Sequence, residues 1–271
     1  MTDAVRHAAR STTQNPALRF FARVGFVVNG LLHALIGVIA IGVAIGVGGA
    51  AGGEADQSGA LSALAATPGG VFILWVVVVG FAALGLWLIA SSFVTVGRGV
   101  PRRGLRIVSE VGKGLVYLAL AVTAFTFARG GSTNSAQTSV NVSASLMAAP
   151  GGVFVVVLIG LLIIAIGVYF IVKGVRRRFL RDLNLPGGKA RTAVIGLGVF
   201  GYVAKGVVLV VVGILFLVAA ATTNPSESSG LDGGLKALVA LPFGPVILIV
   251  IAIGLIAYAV YSFARARFAH L

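Results

Sequence analysis

The feature that most constrains this chain is a series of long apolar stretches with almost no charge. About 20 consecutive apolar residues in a helix cross the roughly 30 Å hydrocarbon layer of a membrane. The stretches are too long for the strands of a membrane barrel, which need about 10 alternating residues. The sequence therefore predicts six membrane-spanning helices, at 24–47, 71–95, 107–128, 152–173, 199–221 and 245–264.

Composition excludes the soluble classes of protein. Hydrophobic residues make up 58% of the 271 residues and charged residues only 10%, whereas an ordinary soluble domain has about 25% charged residues. The chain has no cysteine, which excludes disulfides, thiolate metal sites and cysteine nucleophiles. We expect an all-α membrane protein.

The distribution of basic residues predicts the orientation. Seventeen of the 21 lysines and arginines lie in the N-terminal segment, the second and fourth connections and the C-terminal tail. Connections rich in Lys and Arg remain in the cytoplasm, so we expect both termini there. The net charge of +14 then reflects this bias and attraction to anionic lipids, and we expect no nucleic-acid partner. The residues predicted to contact lipid headgroups are Arg102, Arg103, Arg176, Arg177 and Arg178.

Short motifs recur along the chain. A polar residue followed by glycine occurs near the start of every odd-numbered span, and a leucine lies four residues before a proline ahead of every even-numbered span. A small residue follows each proline by seventeen positions. The polar positions are Asn29, Lys113 and Lys205, the prolines are Pro68, Pro150 and Pro242, and the small residues are Gly85, Gly167 and Ala259.

This recurrence predicts three tandem repeats of two spans each. Every repeat begins on the same side of the membrane, so the repeats are parallel, and the simplest packing places six helices around a pseudo-threefold axis. The predicted divisions are an N-terminal cytoplasmic segment at 1–22 and repeats at 23–98, 105–178 and 195–267. Between the two spans of each repeat, we expect one or two helical turns at 61–66, 143–149 and 235–241, each followed by a proline near the first turn of the next helix.

These motifs resemble a family of uncharacterised bacterial integral membrane proteins, known by a domain of unknown function that occurs three times per chain. The resemblance covers 20–264 and is carried by Arg23-Val24-Gly25-Phe26, the polar-Gly pairs and the Leu–Pro–Gly entries. The middle repeat departs from the pattern, with Ser109-Glu110 where the other repeats have glycine and an aromatic residue. The family implies a three-hairpin plan and a multi-pass location in the bacterial plasma membrane, and no established activity.

Ionisable residues inside spans are the candidate site. If the threefold packing holds, Asn29, Lys113 and Lys205 occupy equivalent positions and can present two positive charges and an amide to an anion. Glu110, one turn before Lys113, can pair with it, and His33 follows Asn29 by one turn. The alternatives are that both lysines extend to the headgroups and that His33 only packs between helices.

Three classes of function remain open at this point. The first is a transporter or channel-like protein for a small or amphipathic anion, bound by Asn29, Lys113, Lys205, Glu110 and His33. The second is a non-catalytic membrane scaffold or assembly factor that binds anionic lipid or a partner protein. A membrane enzyme is a minor alternative, because no nucleophile–base set or metal motif occurs; we expect no enzymatic activity, cofactor or metal.

Overall fold

The six apolar stretches form helices that are long enough to cross a membrane, as predicted. The computed structural model describes residues 16–46, 54–94, 103–183 and 187–268. The long helices are α1 Pro16–Ala44, α3 Gly70–Val94, α4 Arg103–Ala128, α6 Gly152–Val175, α7 Lys189–Thr222 and α9 Gly244–Phe268. The short helices are α2 Gln57–Ala65, α5 Ser135–Met147 and α8 Gly230–Val239.

The helix ends differ from the predicted spans for local reasons. Helix α7 begins at Lys189 rather than at 199. Lysine and arginine are good helix formers, so the helix extends beyond the apolar stretch, and their charged ends can remain in water. Helix α1 ends at Ala44, before the predicted 47. Gly46 has a left-handed φ of 71°, which ends the helical path. Residue 47 lies outside the described residues.

The short helices are longer than the predicted one or two turns. They contain 9, 13 and 10 residues. Helices α2 and α5 begin well before the apolar stretches, because Asp56 and Asn134 cap them: the side chain of Asp56 accepts a hydrogen bond from the Gly59 amide, and that of Asn134 accepts one from the Gln137 amide. These helices lie together at one end of the bundle, which we call the capped end. The opposite end carries the basic connections and is called the basic end.

Each short helix is joined to the next long helix by the proline turn. The proline lies two residues before the long helix begins, near its first turn as predicted. The residue after each proline has a positive φ, of 76° at Gly69, 73° at Gly151 and 59° at Phe243. The next residue is glycine in all three repeats. At Gly152, for example, a Cβ would collide with the carbonyl oxygen of Leu146. The recurring leucine and glycine therefore lie before and after one sharp turn, which brings the backbones of the two residues into contact.

The polar-Gly motif and the small residue after each proline meet at three equivalent helix contacts. A Cβ at Gly114 of α4 would lie 2.8 Å from the carbonyl oxygen of Gly85 on α3, and one at Gly206 of α7 would lie 2.6 Å from that of Gly167 on α6. Helix α1 packs on α9 in the same way, through Gly30 and Ala259. Small residues allow this close approach of helices. The three contacts agree with a pseudo-threefold arrangement.

Contacts inside the repeats do not follow this symmetry. The two long helices pack on each other in repeat 1 (α1 on α3) and in repeat 3 (α7 on α9). In the part of the chain that the structure describes, α4 and α6 of repeat 2 do not pack along each other. The six long helices therefore form a ring that is open between α4 and α6, and we call this opening the seam.

At the capped end, hydrogen bonds link every pair of repeats. The amide of Ala55 donates to Oδ1 of Asp232 at 2.8 Å, which joins repeats 1 and 3. The amide of Ser135 donates to Oγ of Ser58 at 3.1 Å, which joins repeats 1 and 2. Repeats 2 and 3 are joined by the hydroxyl of Ser139, which donates to the Ser228 carbonyl at 2.6 Å.

Candidate functional site

A chain of polar groups crosses between α1 and α7 in the half of the bundle nearer the basic end. Asn29 and His33 lie one turn apart on α1 and are both buried. Nδ1 of His33 lies 2.8 Å from the carbonyl oxygen of Asn29, and Nε2 lies 3.1 Å from Nζ of Lys205. An ammonium can only donate, so Nε2 is the acceptor and Nδ1 donates its proton to the carbonyl. The imidazole thus holds the Lys205 ammonium in place.

Aromatic rings surround the same ammonium. Nζ of Lys205 lies 4.6 Å from the ring centre of Tyr258 on α9 and 5.5 Å from that of Phe170 on α6. The rings of His33 and Tyr258 are 4.7 Å apart. The faces of aromatic rings attract cations, so these contacts stabilise a positive charge in an apolar setting.

Arg265 adds a second cation at the basic end of α9. Its guanidinium carbon lies 4.4 Å from the ring centre of Phe26. Its Nε atom is buried and has no hydrogen-bond partner. Four of the five tyrosines of the chain belong to the side chains packed in this region: the ring centres of Tyr202, Tyr258 and Tyr261 lie 5.3–6.0 Å apart, and Tyr117 packs against the buried cluster that contains Phe26.

We use the name polar cluster for Asn29, His33, Lys205, Arg265 and these four tyrosines. Ser262 lies beside it, and its hydroxyl accepts a hydrogen bond from Nδ2 of Asn29 at 3.4 Å. The described ion pairs join Lys113 to Glu110 and Lys236 to Asp232. Among the described side chains, no carboxylate contacts either cation of the cluster. The cluster therefore carries positive charge that is not matched by a negative group of these side chains.

The structure brings together Asn29, His33 and Lys205 but not Lys113. The ammonium of Lys113 lies 2.7 Å from Oε1 of Glu110, as their spacing on one helix allows. No described hydrogen bond links this pair to Asn29 or Lys205. A ligand role for Lys113 and Glu110 stays a prediction.

The basic residues predicted to contact headgroups are only partly described. Arg176, Arg177 and Arg178 are exposed at the basic end, where α6 passes into a short 3₁₀ helix at Arg178–Asp182. Arg102 lies outside the described residues, and nothing is described of the side chain of Arg103. Their contact with lipid stays a prediction.

Sequence reasoning missed Arg265 and Tyr258 as site residues. Arg265 counts as a basic residue of the C-terminal tail when loop charges are compared, and Tyr258 belongs to no recurring motif. A spacing of seven residues, about two turns, places them on one face of α9. That spacing could have grouped the two residues, but it does not show which helix packs against this face of α9.

The fold and the cluster define a polytopic helical membrane protein of three tandem two-helix repeats with positively charged side chains in its interior. Comparison with known proteins identifies its family. A family model described as a domain of unknown function, DUF1206, matches residues 24–94, 108–177 and 200–269. The chain belongs to this family, in agreement with the resemblance seen in the sequence.

One relative is similar along nearly the whole chain. It is described as the uncharacterized protein YxxB of Bacillus subtilis (strain 168), and it is 30% identical over 262 residues. The match covers 94% of this chain and 93% of the relative. No solved structure matches.

Proposed function

We propose that the protein binds a small or amphipathic anion within the membrane and acts as a transporter or channel-like protein for it. The observation that carries the proposal is the pair of cations, Lys205 and Arg265, without a contacting carboxylate among the described side chains. A charge among membrane helices is unfavourable unless it is paired. An anionic ligand would supply the missing counter-charge.

The other groups of the polar cluster have distinct roles in this proposal. His33 fixes the position of the Lys205 ammonium through a contact of 3.1 Å. That contact uses one of the three hydrogen-bond donors of the ammonium, which leaves donors for a ligand. The buried Nε of Arg265 is a further donor without a partner. The charge-assisted hydrogen bonds that such donors make to an anion are stronger than neutral ones.

The proposal places the basic end in the cytoplasm, at a bacterial plasma membrane. The excess of Lys and Arg at that end supports this orientation. The polar cluster then lies in the cytoplasmic half of the bundle, and the linked short helices close the opposite end. We include no catalytic step, because no described carboxylate contacts the cations of the cluster.

A membrane scaffold is the second candidate. The glycine contacts between repeats and the hydrogen bonds of the capped end favour it, because they join all three repeats into one unit. In this case the cluster would be structural, and the exposed arginines at the basic end would bind anionic lipid or a partner protein.

Native mass spectrometry of the detergent-purified protein separates the two candidates. Lys205→Ala is compared with Lys113→Ala, a matched control because Lys113 occupies the equivalent position in repeat 2 and is paired with Glu110. We expect an anionic species that is bound by the wild type and by Lys113→Ala and is lost from Lys205→Ala. A Lys205→Ala protein that unfolds at the wild-type temperature shows that the fold is retained. Spectra without a bound anion for all three proteins would overturn the anion-binding proposal and favour the scaffold, and an anion bound equally by all three would overturn the role of Lys205.

A further inference from the structure

We propose that the ligand is an anionic lipid, which enters the polar cluster sideways from the membrane through the seam between α4 and α6. This inference rests on the proposed function and adds the chemical class of the ligand and its route. It is carried by the sequence at the seam, by the exposure of the residues there, and by the position of the seam relative to the two cations.

The seam results from two substitutions in the repeat pattern. In repeat 1 the long helices meet at Gly25 and Gly80, where a Cβ at Gly25 would lie 2.5 Å from the Gly80 carbonyl oxygen. In repeat 3 the equivalent glycines, Gly201 and Gly254, also lie against the partner helix. Counted from the polar residue and from the proline of each repeat, the equivalents in repeat 2 are serine and leucine; they are Ser109 and Leu162. Larger side chains at both positions keep α4 and α6 apart.

Apolar positions that are buried in the other repeats are exposed at the seam. Val116 of α4 is 59% exposed, whereas its equivalents Leu32 and Val208 are 2% and 1% exposed. Ile166 of α6 is 41% exposed, whereas its equivalents Leu84 and Tyr258 are 0% and 5% exposed. The seam therefore has apolar sides along both helices.

Both helices of the seam also reach the polar cluster. From α4, Tyr117 packs against the buried cluster that contains Phe26, whose ring centre lies 4.4 Å from the guanidinium carbon of Arg265. From α6, the ring of Phe170 lies 5.5 Å from the ammonium of Lys205. Because these helices flank the cluster and do not pack on each other, the cluster is next to the seam.

The two chemistries together favour a lipid over a free inorganic anion. The cations suit a phosphate headgroup, which accepts several charge-assisted hydrogen bonds. The apolar sides of the seam suit an acyl chain, which gains roughly 25 cal/mol for each Å² of apolar surface taken from water. A small free anion gains nothing from those sides and cannot approach through hydrocarbon.

The route can be tested by cross-linking the seam. The chain contains no cysteine, so Ser109→Cys/Leu162→Cys introduces one reactive pair on opposite sides of the seam, at the positions where the glycines meet in repeat 1. The lipid-free protein is joined with a cleavable bifunctional maleimide before any lipid is added. The probes are dioleoyl phosphatidic acid, dioleoyl phosphatidylcholine and inorganic phosphate, and native mass spectrometry measures their binding. The single-cysteine variants, treated in the same way, are the controls.

We expect phosphatidic acid to bind before cross-linking, to bind about tenfold more weakly afterwards, and to recover when the linker is cleaved. Lys205→Gln should weaken its binding by about tenfold as well, whereas phosphatidylcholine should bind weakly to all variants. Equal binding of phosphatidic acid to the open and cross-linked protein would overturn the lateral route. Binding of inorganic phosphate but not of phosphatidic acid would overturn the lipid proposal and leave the proposed anion site intact. Binding of neither would overturn both.

Discussion

Repeat 2 and its two neighbours share one sequence motif but differ in how their own long helices meet. In repeats 1 and 3 the two helices of the hairpin pack closely at glycines, Gly25 with Gly80 and Gly201 beside Tyr258. In repeat 2 the packing is absent from the described helices α4 and α6. The contacts between successive repeats are preserved in all three. Repeat 2 thus lacks the glycine pair of its neighbours, with Ser109 and Leu162 in its place, and keeps the contacts to the other repeats.

The same comparison explains why the polar residue of repeat 2 has different contacts from those of repeats 1 and 3. The position after Gly25, Ser109 and Gly201 is an aromatic residue in repeats 1 and 3 and Glu110 in repeat 2. The ring of Phe26 lies against Arg265, and the ring of Tyr202 packs on Tyr258 and Tyr261 of the same helix as Arg265. Glu110 instead pairs with the lysine of its own helix. Repeat 2 therefore neutralises its lysine locally, whereas repeats 1 and 3 direct their polar residues into a shared cluster.

The largest effect is expected from a bulky residue at the close contact of repeat 1. Gly25→Leu should lower the free energy of unfolding by about 3 kcal/mol, because the new side chain meets the backbone of Gly80 and cannot be accommodated without separating the helices. Ser109→Leu, the same change at the equivalent position, should alter it by less than about 1 kcal/mol, because Ser109 is exposed. Unfolding in detergent, followed by circular dichroism, measures both. Equal losses would show that the two repeats do not differ in packing.

A second comparison concerns the links at the capped end. Asp232→Ala should cost about 2 kcal/mol, because it leaves the buried Ala55 amide without its acceptor and removes the partner of Lys236. Ser139→Ala, which removes the link between repeats 2 and 3, should cost about 1 kcal/mol, because it removes one neutral hydrogen bond, whereas Asp232→Ala removes both a hydrogen bond and an ion pair. The same unfolding experiment applies. A larger loss of stability for Ser139→Ala would mean that the link between repeats 2 and 3 is stronger than the link between repeats 1 and 3.

Much of the fold follows from local patterns in the sequence. The six spans follow from apolar length, and the three repeats follow from the recurring Asn29, Lys113 and Lys205 motif. The pairing of Glu110 with Lys113 follows from helical spacing alone. These features need no knowledge of which helices become neighbours in the folded chain.

The centre of the site depends on that knowledge. The sequence grouped Asn29, His33 and Lys205 on the assumption of threefold packing, but it did not predict which of them would contact each other. The contact of His33 with Lys205 joins helices that are far apart in the chain, and it requires a specific rotation of each. The seam was present in the sequence as Ser109 and Leu162, but only Ser109 stood out, because Leu162 is an ordinary residue in a membrane span. Its significance becomes clear once Gly80 and Gly254 are seen in helix contacts.

A direct way to sharpen the comparison is to restore the glycine pattern in repeat 2. Ser109→Gly/Leu162→Gly should bring α4 and α6 toward the separation of packed helices, about 8–10 Å between axes. Spin labels on cysteines at the exposed positions Leu115 and Leu161 report the change as a shorter distance in pulsed electron paramagnetic resonance. The net change in stability should be about 1 kcal/mol or less, because the helix cost of two glycines is offset by new packing. An unchanged distance would mean that these two residues do not cause the seam.

The smallest expected effect is a pH dependence that arises, among the described residues, where repeats 1 and 3 meet. Burial raises the pKa of Glu54 and of Asp56 from its ordinary value, and in each case nearby carboxylates add to this. A carboxyl with a raised pKa binds its proton more tightly in the folded state, so stability increases as the pH falls from neutral toward the ordinary carboxyl pKa of about 4. Glu54→Gln should reduce this increase, whereas Glu227→Gln, an exposed control at the same end, should leave it unchanged. Melting temperatures measured across this pH range decide the matter. The short helix of repeat 2, Ser135–Met147, contains no carboxylate. If the melting temperature of Glu54→Gln changes with pH as steeply as that of the wild type, the pH dependence arises from other groups and does not distinguish repeats 1 and 3 from repeat 2.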